Sequence, residues 1–210
     1  MATDNNEPRP RVATDQYVKL IGMGKAHIDK GFSKVGRVLK ADDPAHNAMT
    51  GLASRAIAIA NAIALLGLNN HANEALPLLR SLFEISLHMS SIAKEGRPQA
   101  EGFIAEYAKP DWASFMPSQG LAERARRLGY PEGLAEKILS ACRPYLHANA
   151  AGVPWGHVFA KDRPEGISAE DVMQTTALVM GHVVKALDLQ WGEFAGAEDI
   201  WRAAQAAEVK

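Results

Sequence analysis

"NEALPLLRSLFEISLHMSSIAK", Asn73 to Lys94, decides the fold. At ~100° per residue, Leu76, Leu79, Leu82, Phe83, Ile85, Leu87, Met89 and Ile92 cover well over half of a helical circumference. A helix that is apolar over so much of its surface needs neighbours on most sides. The spacing therefore predicts a mostly buried helix inside an all-helical domain. Asn73 is placed to cap it, and Pro77 is tolerable because it lies near the first turn. The remaining arc holds Pro77, Arg80, Ser81, Glu84, His88 and Ser91. Arg80, Glu84 and His88 follow one another at i, i+4 and so lie on one line. That line is either a solvated stripe with an Arg–Glu pair or a row of ionisable groups facing a cleft. It contains no lysine and is narrow for a surface face.

Outward from this helix the same period recurs. "AIAIANAIALLGL", Ala56 to Leu68, is apolar all round apart from Asn61. Asp42, Asp43 and Pro44 open the helix that contains it, and "GLNN" stops it. The apolar run falls short of the ~20 residues that span a bilayer, so a buried helix and no membrane are expected. Arg55 stands at the entrance to this run. A buried guanidinium needs a carboxylate, and Glu84 and Glu74 are the candidates. Arg55 is then either half of a structural ion pair or an anion-reading group at a pocket.

A first helix, Tyr17 to Lys40, is predicted despite Gly22, Gly24, Gly31 and Gly36. Shorter helices follow at about Gln99–Ala108, Leu121–Leu128 and Glu132–Leu146, with "KPDWASFMPSQG" as a loop carrying Trp112 and Phe115. Ser168, with Asp171 three residues on, caps a last long helix that runs to about Phe194. Strand signals are nearly absent. The expected architecture is all-α, a single-domain bundle of four to five long helices plus short ones. Residues 1–12 are expected to be a disordered tail, 13–195 the bundle, and 196–210 a short amphipathic helix and tail bearing Ile200 and Trp201. An apolar helix face is expected to make a homodimer.

Composition narrows the function classes. Basic and acidic residues number 23 and 24, a net charge of −1, which argues against a general polyanion binder such as a nucleic-acid-coating protein. The single cysteine, Cys142, removes an intramolecular disulfide and a cysteine-rich zinc site and reads as a small buried hydrophobe. The N-terminal "MATDNNEPRPR" has no apolar signal region, so a cytoplasmic address is expected.

Candidate chemistry gathers in one further segment. "YLHANAAGVPWGH", Tyr145 to His157, is too rich in Gly, Pro and small residues to be regular helix, yet it carries His147, Trp155 and His157. His182 lies mid-helix among apolar residues, either a satisfied core histidine or a ligand. Glu84, His88, His147, His157 and His182 are the nitrogen and carboxylate donors that a zinc or non-haem iron ion would require. No H-E-x-x-H, P-loop or nucleophile-elbow motif is present.

"EALPLLRSLFEISLH", joined to "ILSACRPYLHANA", resembles a family of bacterial helical proteins of unknown function, the DUF5677-type domain. The matching features are Arg80, Leu82 and Glu84 on a buried helix, then Ser140 and His147, over roughly residues 45–190. The resemblance implies an all-helical fold and a shared polar site. A weaker similarity is to HEPN-type ribonucleases, whose composite site pairs an Arg with a His. Here Arg143 and His147 have three residues between them, one a proline, which departs from that pattern.

The leading expectation is a small-molecule enzyme or binding protein. Its polar pocket would lie between the 73–94 helix and the 145–157 segment. Glu84, His147 and His157 would be the catalytic groups, Arg55, Arg80, Tyr145 and Trp155 the substrate contacts, and hydrolysis or proton transfer the chemistry. The alternatives are RNA cleavage through Arg143 and His147, and a non-catalytic structural or interaction role.

Overall fold

The helix predicted over Asn73–Lys94 runs from Ala72 to Glu95 and is buried on almost every side. In the computed structural model, residues 11–107, 120–146 and 167–207 are described, with side chains over 15–106, 120–143 and 167–207. The described elements are α1 (Arg11–Val35), α2 (Pro44–Leu68), α3 (Ala72–Glu95), α4 (Arg97–Tyr107), α5 (Leu121–Leu128), α6 (Leu134–Leu146), α7 (Ala169–Trp191) and α8 (Ala197–Ala206). Among the described residues there is no strand, so the chain is all-α, with four long helices and shorter ones around them.

α3 and α7 form the central pair. α2, α4, α5 and α6 pack around α3, and α1, α2 and α8 around α7. Leu76, Leu82, Phe83, Leu87, Met89 and Ile92 of α3 are fully buried, as are Met173, Val183, Val184 and Leu187 of α7. Fully burying such side chains stabilises by about 1.5–3 kcal/mol each before the cost of ordering them.

Local signals place the ends. Asp43 caps α2, its Oδ1 accepting from Ala45 N–H at 2.8 Å, with Pro44 in the first turn. Ser168 caps α7, its Oγ accepting from Asp171 N–H at 3.0 Å. Asn73 does not cap α3. His71 occupies that position without a side-chain bond, and Asn73 Oδ1 is buried in the first turn with no partner among the described residues. α1 starts at Arg11 and stops at Val35, earlier at both ends than the periodicity suggests. His46 is largely covered, at 14% side-chain exposure. Its Nδ1 accepts from Lys40 N–H at 3.0 Å and its ring packs on Trp191.

α2 is longer than the 13-residue apolar run Ala56–Leu68 suggests. It has 25 residues and a mean hydropathy of 1.7 over its most apolar window, enough by length and composition to cross a bilayer. Here it packs against α1, α3, α4 and α7 as a core helix. Its outer face is mixed, with Ser54, Arg55, Ala58 and Asn61 exposed and Leu65 at 63% exposure.

α6 lies antiparallel to α3. Tyr130, just before α6, shares a 3.0 Å hydrogen bond with Ser90 near the end of α3. Cys142, near the end of α6, donates its S–H to Leu76 O at 3.1 Å near the start of α3. Burial pushes the Cys142 thiol up to about 11, with Arg80 opposing. Native Cys142 should therefore react with a disulfide reagent such as DTNB about 100-fold more slowly than the unfolded chain at pH 8. Equal rates would show that the thiol is not held as described.

Candidate functional site

The α3 stripe is not a solvated face. His88 and Ser91 are buried, and Arg80 and Glu84 are mostly covered, at 17% and 19% side-chain exposure. Arg80 Nε donates to Glu84 Oε1 at 2.9 Å, as i, i+4 spacing allows. Glu84, His88, Ser81 and Ile85 then form one wall of a cleft of about 610 Å³.

α2 supplies the opposite wall. Asn47, Gly51 and Arg55 recur at i, i+4, i+8, with Ala48, Leu52 and Ile59 beside them. The Asp43 cap sets the start of this helix. Asn47 is turned by its own bond, Nδ2 donating to Ala41 O at 2.7 Å. α4 closes the cleft with Phe103 and Ile104. It can do so because Gly96, at φ 71° and ψ −147°, reverses the chain immediately after α3, a backbone state that L side chains rarely adopt. Phe103 packs on His88 with ring centroids 4.8 Å apart.

The charges at the cleft are unequal. Glu84 is already engaged by Arg80, while Arg55 is exposed and makes no ion pair with a carboxylate among the described residues. Arg55 is thus not the buried cation predicted from its neighbours, and its pairing with Glu84 or Glu74 does not occur. His88 is uncharged at neutral pH. Burial, and then the nearby Arg124 guanidinium, push its imidazole down to about 3. A neutral imidazole in this position can donate or accept one hydrogen bond but adds no charge.

A second polar set lies deeper. Arg124 of α5 donates from Nε and Nη2 to Ser91 Oγ at 3.1 and 2.8 Å. Tyr130 is pushed up to about 12 by burial and is held by Ser86 and Ser90. His182 stacks on Tyr130 at 3.8 Å with an interplanar angle of 12°, and Trp201 closes its other side at 4.7 Å. Burial and then Lys185 push His182 down to about 3. These groups tie α3, α5, α7 and α8 together.

Of the sequence-predicted site residues, Arg55, Glu84 and His88 meet at the cleft, and Arg80 touches Glu84 from behind it. His182 does not line the cleft and serves the Tyr130 stack. His147, Trp155 and His157 lie outside the described residues, as do Trp112 and Phe115. Tyr145 lies in α6, with its side chain outside the described set, and Arg143 is exposed. Among the described residues, no group of three or more His, Cys, Asp or Glu side chains is placed to hold a metal ion. Asn47 and Phe103 were not singled out from sequence. The short "EGRP" link, which forces α4 back across α3, was the available signal for Phe103.

Residues 46–130 match the model of a family of unknown function (DUF5677). The resemblance read over residues 45–190 is therefore found over its first part, α2 to α5, which includes every residue lining the cleft. The Ser140–His147 part lies beyond the match, and HEPN-type similarity is not found. No curated protein and no solved structure matches the chain.

Proposed function

We propose that this protein is a small-molecule-binding helical domain, and that the cleft between α2, α3 and α4 is its site. The observation that carries this reading is convergence. Arg55, Ser81, Glu84 and His88 come from two helices and reach one apolar-walled recess closed by Phe103. A few fixed polar groups on an otherwise apolar concave wall are what small-molecule sites use for orientation and specificity. If the site also does chemistry, Glu84 is the proton acceptor and Arg80 is its positioning residue, because Arg80 holds Oε1 and so aims the carboxylate. Among the described residues Glu84 and His88 are the only carboxylate and imidazole on the cleft wall, and the proposal is for an organic ligand.

Gly51 provides the test. A Cβ there meets nothing within 4 Å, and the residue is exposed on the cleft wall. Gly51→Trp should therefore fold and fill the recess. In a ligand-observed NMR screen of small organic fragments, those that bind wild type should be lost from Gly51→Trp. An identical set of binders on both proteins would defeat the proposal.

A further inference from the structure

We infer that the ligand of this cleft is an amphipathic monoanion: an apolar chain or ring bearing one carboxylate-type group, which Arg55 reads at the mouth. The inference rests on the cleft being the binding site and adds the chemical class of what it takes.

Three features select the class. First, most of the wall is hydrocarbon, from Leu52, Ile59, Ile85, Phe103 and Ile104. A fully polar ligand would lose water there without recovering hydrogen bonds. Second, the volume of about 610 Å³ lies inside the range of roughly 300–1,000 Å³ that encloses drug-sized molecules, larger than a bare inorganic anion needs. Third, among the described residues the charges of the wall sum to one excess cation. Arg80 and Glu84 neutralise each other at 2.9 Å, His88 is uncharged, and Arg55 is left over. Arg55 is also the exposed one of the ionisable lining groups, so the anionic head is held at the mouth while the apolar body enters. A planar guanidinium suits a carboxylate because it can bind both oxygens at once. A second negative charge on the ligand would lose its water in the hydrocarbon recess without a further cation to pair with, and a cationic head would face Arg55.

The probes are octanoate, octylamine, 1-octanol and octanedioate, which share a chain and differ in charge. Binding to the full chain is followed by isoleucine methyl NMR, with Ile59, Ile85 and Ile104 reporting the cleft and Ile138 a site elsewhere. Octanoate should bind about tenfold or more tightly than the amine, the alcohol or the diacid, and 0.5 M salt should weaken it. Arg55→Gln, a change at an exposed position, should bring octanoate down to the level of 1-octanol. Equal binding of alcohol and acid, or tighter binding of amine or diacid, overturns the monoanion inference while leaving the cleft as a site. No response at Ile59, Ile85 and Ile104 to any probe, or binding unchanged by Gly51→Trp, overturns the cleft reading itself.

Discussion

Phe194→Ala should destabilise the protein by about 3–5 kcal/mol, and Gly31→Ala should change from destabilising to stabilising in that background. Phe194 follows α7, is 1% exposed, and meets Phe32 edge-on at 5.1 Å and Trp191 at 5.6 Å. Its ring lies against Gly31 of α1, where an added Cβ would stand 2.2 Å from Phe194 Cδ1. Real atoms do not approach so closely, so Gly31→Ala must move a ring fixed by two aromatic neighbours. Overpacking of that kind costs about 1–3 kcal/mol. With the ring removed, the same methyl enters the vacated space and gains up to about 1 kcal/mol of helix propensity. Gly22 is the control. It sits on the same helix, exposed, with nothing within 4 Å of an added Cβ, so Gly22→Ala should stabilise by about 0.5–1 kcal/mol. Urea midpoints of the four single and double variants measure all of these signs. Additive effects of Gly31→Ala and Phe194→Ala would show that the two residues do not share this contact.

The glycines of α1 also show where sequence reasoning stops. Each lowers helix propensity by the same amount, so the sequence treats Gly22 and Gly31 alike. Only the fold distinguishes an exposed glycine from one that admits Phe194 from 163 residues away. What was legible was local. The eight apolar positions of α3 predicted a buried helix. Asp43–Pro44 and Ser168–Asp171 predicted two helix starts, and the i, i+4 line predicted the Arg80–Glu84 pair. The cap of α3 was misplaced because Asn73 is a good N-cap residue by type, whereas the helix begins one residue earlier behind His71. Arg55 was misjudged because its neighbours in sequence are apolar. Burial depends on which side of α2 a residue faces, and Arg55 faces the cleft mouth. His182 and Tyr130 belong to separate helical segments, and nothing in the local pattern of either one announces their stack.

Acidification should destabilise this protein well above the range in which carboxylates titrate. His88 and His182 are both buried and both pushed down to about 3, by burial first and then by Arg124 and Lys185 respectively. In the unfolded chain each takes up a proton near pH ~6.5. Between those values the unfolded state binds more protons than the folded state, so stability falls as pH is lowered. The slope is about 1.4 kcal/mol per pH unit for each histidine, and the pair should cost about 4 kcal/mol by pH 5. That is a large share of the ~5–15 kcal/mol that holds a typical domain together. Stability should be flat above pH ~7, where both imidazoles are neutral in either state. His182→Phe keeps an aromatic ring on Tyr130 and removes one titrating group, so it should halve the slope. Adding His88→Gln should nearly abolish it. Urea unfolding at intervals from pH 7.5 to 5 measures the slope directly. A wild-type slope that is absent, or one that survives in the double variant, would mean that these imidazoles are not held neutral against their cationic neighbours. The same result would remove the neutral His88 on which the charge balance of the cleft depends.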